Sequence, residues 1–291
     1  MKILHIITHY HPIVYGAENF AKHLAEYQVN KGNTVHVLTG RWERSWLKNE
    51  KINGVTVYRV SIVNIRFIKT ILAIFPLFFS AFKLCKKEEV NVVHTHIYPG
   101  MLVGWLLKKT LNITFIATIQ GGDIGDYPEV FGPFSSMAKS IIGVCLKSAD
   151  KVHCVSTYLS SEVEKMGVST EKIILIPNGV DINKFRINKA KLINGKGIRL
   201  VSTSRLEGKN NLIQLIKSIS ELRNRDLNVS LDIYGTGSQI EFLTKLIEDL
   251  KLNETVKLKG YINQNRLPET LLSYDFFIRL SKQEGFGISF I

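Results

Sequence analysis

Residues 2–38 read KILHIITHYHPIVYGAENFAKHLAEYQVNKGNTVHVL, and this stretch decides the fold class. Lys2–Thr8 is an apolar run of strand length. From Ala17 to Asn30 the apolar residues Ala17, Phe20, Ala21, Leu24, Ala25 and Val29 recur at spacings of three and four, the period of one helix face. Gly32 is placed to end that helix, and Thr34–Leu38 is a second apolar run. Strand, helix and strand in this order form a β-α-β unit. Runs apolar on both faces belong to a parallel sheet covered by helices.

Outward from this unit the pattern repeats. Val55–Val60, Val92–His94, Thr114–Ile119, Lys151–Val155 and Ile173–Ile176 are short Val- and Ile-rich runs separated by helical stretches. Asn188–Lys196 is polar, basic and glycine-containing, and reads as a linker. The alternation then restarts, with strands expected at Arg199–Ser204, Ser230–Tyr234, Val256–Lys259 and Phe276–Leu280 and helices at Asn211–Leu222, Gln239–Leu250 and Pro268–Ser273. The expected architecture is α/β, with two Rossmann-like domains over residues 1–187 and 188–291, the second one incomplete.

The 291 residues carry a formal charge of +13, spread over both halves of the chain rather than gathered in a basic arm. No aromatic-basic stripe accompanies it, so nucleic acid is not an expected partner. The three cysteines, Cys85, Cys145 and Cys154, form no Cys-x-x-Cys pair, which disfavours a disulfide framework or zinc cluster and suits a reducing cytoplasm. Thr70–Phe82 (TILAIFPLFFSAF) has no charge and is flanked by Lys69, Lys83, Lys86 and Lys87. It is short for a membrane span and fits a buried helix, with docking on an anionic membrane surface as the second reading. Pro76 is expected to kink it or end its first turn.

In such sheets ligands bind beyond the carboxyl ends of the strands, and the polar clusters of this chain fall there. Gly16, at a helix start, would let backbone approach a phosphate or sugar, or it is a plain glycine cap. His94 and His96 are expected to point to opposite faces of their strand and so not to share one ion; one faces the cleft, with His96 the candidate for the acceptor side, or the histidines are packed and hydrogen-bonded. Gln120-Gly121-Gly122-Asp123 ends another strand, with Asp123 either in the cleft or capping a turn. Arg205 and Lys209 flank a loop that opens a helix, where a planar fork and a point charge would converge on a diphosphate. Tyr234-Gly235-Thr236-Gly237-Ser238 is either a ligand contact or a tight turn with Ser238 as helix cap. Glu284-Gly285-Phe286-Gly287 combines a carboxylate with backbone amides that can approach a polar ligand. No Asp-x-Asp occurs, so no metal is expected on the diphosphate.

Taken in order, Tyr15–Glu18, Val92–His96, Thr118–Asp123, Asn178–Asp181, Ser204–Lys209, Tyr234–Gly237 and Ser281–Gly287 resemble the retaining GT-B-fold glycosyltransferases, called family 4 or group 1. The resemblance implies a nucleotide-sugar donor, a UDP- or GDP-sugar, held mainly by the second domain, with no other cofactor. It implies that Arg205 and Lys209 neutralise the diphosphate, that Glu284 and the amides of Gly285, Phe286 and Gly287 hold the sugar, and that Gly16 and Gly235 line the donor. Gln120, Asp123 and Glu284 fall where the family has its residues around the reacting sugar. Gln120 stands where the family often has His, and Gln cannot titrate. The family's second Glu would fall one residue past Ile291, so the chain reads as truncated at its C-terminus. The expected activity is hexosyl transfer with retention to a glycan or lipid-linked acceptor, in a cytoplasmic protein with contact to the inner face of the membrane. The alternative is an inactive remnant that binds nucleotide or a partner.

Overall fold

The computed structural model describes residues 1–12, 16–62, 69–121, 135–185, 197–263, 265–282 and 285–290. The chain forms two compact units, Met1–Asn178 and Gly179–Ile291, dividing within the Pro177-Asn178-Gly179 run. The expected linker Asn188–Lys196 lies outside the described residues.

In the first unit eight strands form one sheet in the order β3-β4-β2-β1-β5-β6-β7-β8. They are β1 (Lys2–Ile6), β2 (Thr34–Arg41), β3 (Asn49–Ile52), β4 (Val55–Ser61), β5 (Val92–His96), β6 (Thr114–Ile119), β7 (Lys151–Cys154) and β8 (Ile173–Leu175). All pairings are parallel except β3 with β4. That hairpin was not expected, although Asn53-Gly54 signals it. Both residues take positive φ, 48° and 85°, as a two-residue turn between right-twisted strands requires.

The two faces of this sheet carry different chemistry. Leu4, Ile6, Leu38 and Val93 pack against Ala73, Leu77, Ala81 and Leu84 of α2 (Lys69–Glu88) and Val103 and Leu107 of α3 (Gly100–Leu111). Each buried Leu, Ile or Val side chain among them, taken out of water, contributes about 1.5–3 kcal/mol. Ile7, Val35, Val37, Val55 and Val57 pack on the other face beneath Ala21 and Ala25 of α1 (Gly16–Asn30). The helices α4 (Ser135–Ser148) and α5 (Thr157–Lys165) complete the described layers. Pro76 does not end α2, which continues through it.

In the second unit β9 (Ile198–Thr203), β10 (Val229–Tyr234), β11 (Val256–Gly260) and β12 (Phe276–Phe277) form a parallel sheet in the order β11-β10-β9-β12. Leu200, Leu231, Ile233 and Val256 pack under α6 (Leu212–Asn224) and α7 (Ile240–Asp249). A short α8 (Leu267–Leu271) precedes β12, which is two residues long rather than the five expected.

Candidate functional site

At the carboxyl end of the second sheet, three loops interlock. The first follows β9 and carries Arg205, exposed, and Lys209, half-buried in a single 3-10 turn. The second follows β10. Gly235 there has φ +148°, and a Cβ on it would fall 1.8 Å from the Ser204 carbonyl oxygen. The backbones are further joined by Ser204 N–H to Tyr234 O at 3.0 Å and Leu206 N–H to Thr236 O at 3.0 Å. Ser238 is not a side-chain helix cap. Its N–H and hydroxyl donate to the two carboxylate oxygens of Glu207, at 3.1 and 2.7 Å, tying the two loops together.

The third loop follows β12, and it is bound to the first. Lys282 N–H donates to the Lys209 carbonyl at 3.0 Å. Asn210, 3% exposed, donates from Nδ2 to the Arg205 carbonyl at 2.6 Å and accepts Arg279 Nη2–H on Oδ1 at 3.0 Å. Arg279 Nη1 reaches Ser289 Oγ at 3.0 Å. Gly287 is buried with φ +67°. The backbones that carry Arg205, Lys209 and the Gly285–Gly287 run are thus fixed to each other before any ligand arrives. Such a frame can offer two cations and backbone amides to an anionic, hydroxyl-rich group without reorganising. Glu284 lies outside the described residues. Asn210 and Arg279 carried no sequence signal, because their role depends on which loops the sheet order brings together.

In the first unit, α1 begins at Gly16, where a Cβ would meet nothing within 4 Å. Glu18 in its first turn is buried. Gln120 follows β6 and accepts Asn178 Nδ2–H on Oε1 at 3.2 Å. Asp123 lies outside the described residues.

His96 is fully buried, and the expectation that it points away from His94 is wrong. Successive side chains alternate across a strand, so residues two apart share a face. The two rings lie at 4.4 Å, 27° between planes. They belong to a ladder across the sheet. Gln28 Oε1 lies 2.7 Å from His5 Nε2, and His5 Nδ1 lies 2.9 Å from His96 Nε2. His94 Nε2 lies 2.6 Å from Thr118 Oγ1, Thr118 Oγ1 lies 3.1 Å from His153 Nδ1, and His153 Nε2 lies 2.8 Å from the Ile176 carbonyl.

The terminal acceptors fix every proton in this ladder. Gln28 Oε1 and the Ile176 carbonyl only accept, so His5 and His153 must donate from Nε2. Their Nδ1 atoms then accept from His96 and from the Thr118 hydroxyl, which in turn accepts from His94. All four imidazoles are neutral in this arrangement. Burial pushes His5 down to about 4, the Gln28 hydrogen bond only partly opposing it. Burial, then repulsion from neighbouring imidazoles, holds His94 and His96 well below the usual histidine range. The nitrogens of His5, His94 and His96 are close enough to share a cation. However, His5 Nδ1 and His96 Nε2 point at each other rather than at a common third position, so an ion would have to replace their hydrogen bond.

Two Rossmann-like α/β units with polar loops at the carboxyl ends of their strands are the fold class of the GT-B glycosyltransferases. Sequence models agree: that described as Glycosyltransferase Family 4 matches residues 14–184, and that described as Glycosyl transferases group 1 matches residues 183–291. The chain belongs to the family 4, group 1 glycosyltransferases of GT-B architecture. It is similar to MJ1607 of Methanocaldococcus jannaschii, an uncharacterized glycosyltransferase, at 26% identity over 99% of this chain and 76% of that protein. It is 25% identical to the alpha-monoglucosyldiacylglycerol synthase of Streptococcus pneumoniae over 74% of this chain and 52% of the synthase. Its fold is that of Anabaena HepE, solved in complex with UDP and glucose: TM-score 0.74 at 18% identity, covering 99% of this chain and 76% of HepE. The chain thus spans about three quarters of the archaeal relative and about half of the synthase.

Proposed function

We propose that the chain transfers a hexose from a UDP- or GDP-sugar to an acceptor hydroxyl with retention, in the synthesis of a cell-surface glycan or glycolipid at the cytoplasmic face of a membrane. One observation carries this reading: the Arg205–Lys209 loop is hydrogen-bonded into the loop that bears Gly285, Phe286 and Gly287. Arg205 and Lys209 meet the diphosphate, and Gly16 and Gly235 allow backbone near it. Glu284 and the amides of Gly285–Gly287 hold the sugar hydroxyls.

Chemistry on this reading needs no strong protein nucleophile. The bond from the anomeric carbon to the diphosphate breaks through an oxocarbenium-like state while the acceptor oxygen enters from the same face. The departing diphosphate takes the acceptor proton, and the two cations stabilise the charge it gains. Gln120 and Asp123 position the reacting sugar, and His96 supports the acceptor side from beneath. The lipid product named for the pneumococcal relative supports a lipid-linked acceptor here. The test offers a panel of UDP- and GDP-sugars with lipid and glycan acceptors. The expected result is release of nucleoside diphosphate matched by a product with the donor's anomeric configuration. An inverted product would refute retention, and nucleotide binding without any transfer would favour the binding-only alternative.

A further inference from the structure

Gln120 sits where the chain leaves β6, and its side chain is held from beneath. Thr118, two residues earlier on β6, is fully buried, and its hydroxyl lies 3.1 Å from His153 Nδ1. His153, opposite it on β7, reaches the Ile176 carbonyl from Nε2 at 2.8 Å. The Ile176 N–H donates to the Cys154 carbonyl at 3.1 Å, so both polar groups of the Ile176 backbone are tied to β7. Two residues on, Asn178 Nδ2 donates to Gln120 Oε1 at 3.2 Å. The bonds close a ring, from Thr118 through His153 to Ile176, along the chain to Asn178, and back to Gln120. Gly121 follows with φ +114°, so the chain turns away from the strand directly after Gln120. The torsions of the Gln120 side chain are thus ordered on folding rather than on meeting a ligand.

The direction of the last bond decides what Gln120 can offer. An amide nitrogen only donates and an amide oxygen only accepts. Asn178 commits a donor to Oε1, so the Gln120 carbonyl faces Asn178 and its N–H groups are turned to the other side. Asn178 Oδ1 is buried with no hydrogen-bond partner among the described residues. As a structural link the pair is therefore poor, since an unpaired buried carbonyl costs more than an apolar pair of the same shape. Folding alone does not account for it.

We infer that Asn178 is a positioning residue for the proposed sugar transfer, and that it makes Gln120 a hydrogen-bond donor that reads one hydroxyl oxygen of the donor sugar. An N–H is repelled by the positive charge that develops at the anomeric carbon, so its partner is a hydroxyl oxygen away from that centre. A group that must donate there discriminates against sugars lacking that oxygen. The inference rests on the reading of the chain as a nucleotide-sugar transferase.

The experiment is calorimetric titration. UDP, GDP, UDP-glucose, UDP-N-acetylglucosamine and GDP-mannose are titrated into wild type, and the tightest nucleotide sugar is kept with its own diphosphate. Both are then titrated into Asn178→Asp, Asn178→Leu, Gln120→Ala and Asn178→Asp/Gln120→Ala, with tryptophan-detected melting to confirm that each is folded. The Asn178→Asp change replaces the donor by an acceptor and turns the Gln120 amide over. It is expected to weaken the nucleotide sugar about tenfold and the diphosphate less than about twofold. Asn178→Leu, which adds no charge, is expected to act in the same direction by about threefold. In the Gln120→Ala background Asn178→Asp is expected to have no further effect. Equal losses for sugar and diphosphate, no loss, or losses that add in the double variant would overturn the inference. If wild type binds a diphosphate but none of the sugars, the inference falls and the phosphate site stands. If it binds none of the five, the transferase reading falls and this inference falls with it.

Discussion

Acidification should unfold the first unit through its buried histidine ladder. An unfolded histidine titrates near 6.5, whereas His5 in the fold titrates at about 4 because burial penalises its charged form. The folded value is the lower one, so the stabilisation is complete above about pH 6.5 and is lost as pH falls toward about 4. At about pH 5 an unfolded His5 is almost fully protonated and the folded one hardly at all. The difference amounts to about 2 kcal/mol from His5 alone. His94 and His96 shift in the same direction and add to it. Trp42, Trp46 and Trp105 are the three tryptophans, and all lie in the first unit. Urea unfolding followed by tryptophan fluorescence therefore reports on that unit. A pH series in wild type and in His5→Gln cancels the carboxylates common to both. The wild-type stability should fall by about 2 kcal/mol more than the variant's between about pH 7 and pH 5. Parallel curves would refute the neutral ladder.

Other expectations concern close approaches and the loop frame. Gly104→Val should cost about 1–3 kcal/mol in the same urea assay, because a Cβ there already falls 2.4 Å from the Phe115 ring and 2.7 Å from Thr95 Cγ2; an unchanged midpoint would show that α3 can lift from β5 and β6 freely. Gly235→Ala should abolish nucleoside diphosphate binding with little effect on the tryptophan-detected melt, since it forces the Ser204 carbonyl aside in the second unit only. Arg279→Met should weaken nucleotide binding about tenfold by releasing Asn210 and Ser289, and Asn210→Ala should add little in the double variant, as residues of one network are not additive. Additive losses would mean that the two act separately.

The β-α-β period was legible because strands buried on both faces and one amphipathic helix leave few other folds. The strands β1, β4 and β6 and the helices α6 and α7 follow from it within a residue or two, and β2 runs three residues further than expected, to Arg41. The loops with Arg205, Lys209 and Gly235 were legible too, since polar clusters at strand ends stand out against apolar runs. The β3–β4 hairpin was missed with its signal, Asn53-Gly54, in plain sight. The histidine ladder was not legible as a unit. His5, His94 and His153 come from three strands, and only their register sets them on one face. Asn210 and Arg279 were hidden for the same reason: they act across a sheet order, β10-β9-β12, that a local reading does not supply.

Calorimetric titration of UDP and GDP into wild type, Arg205→Ala and Lys209→Ala tests the donor site most directly. Each cation that meets the diphosphate contributes about 1.5–3 kcal/mol through charged hydrogen bonds. One of the two nucleotides should bind wild type and lose at least about tenfold in affinity in each variant. Binding that is the same in all three proteins would contradict the assignment of Arg205 and Lys209 to the phosphates.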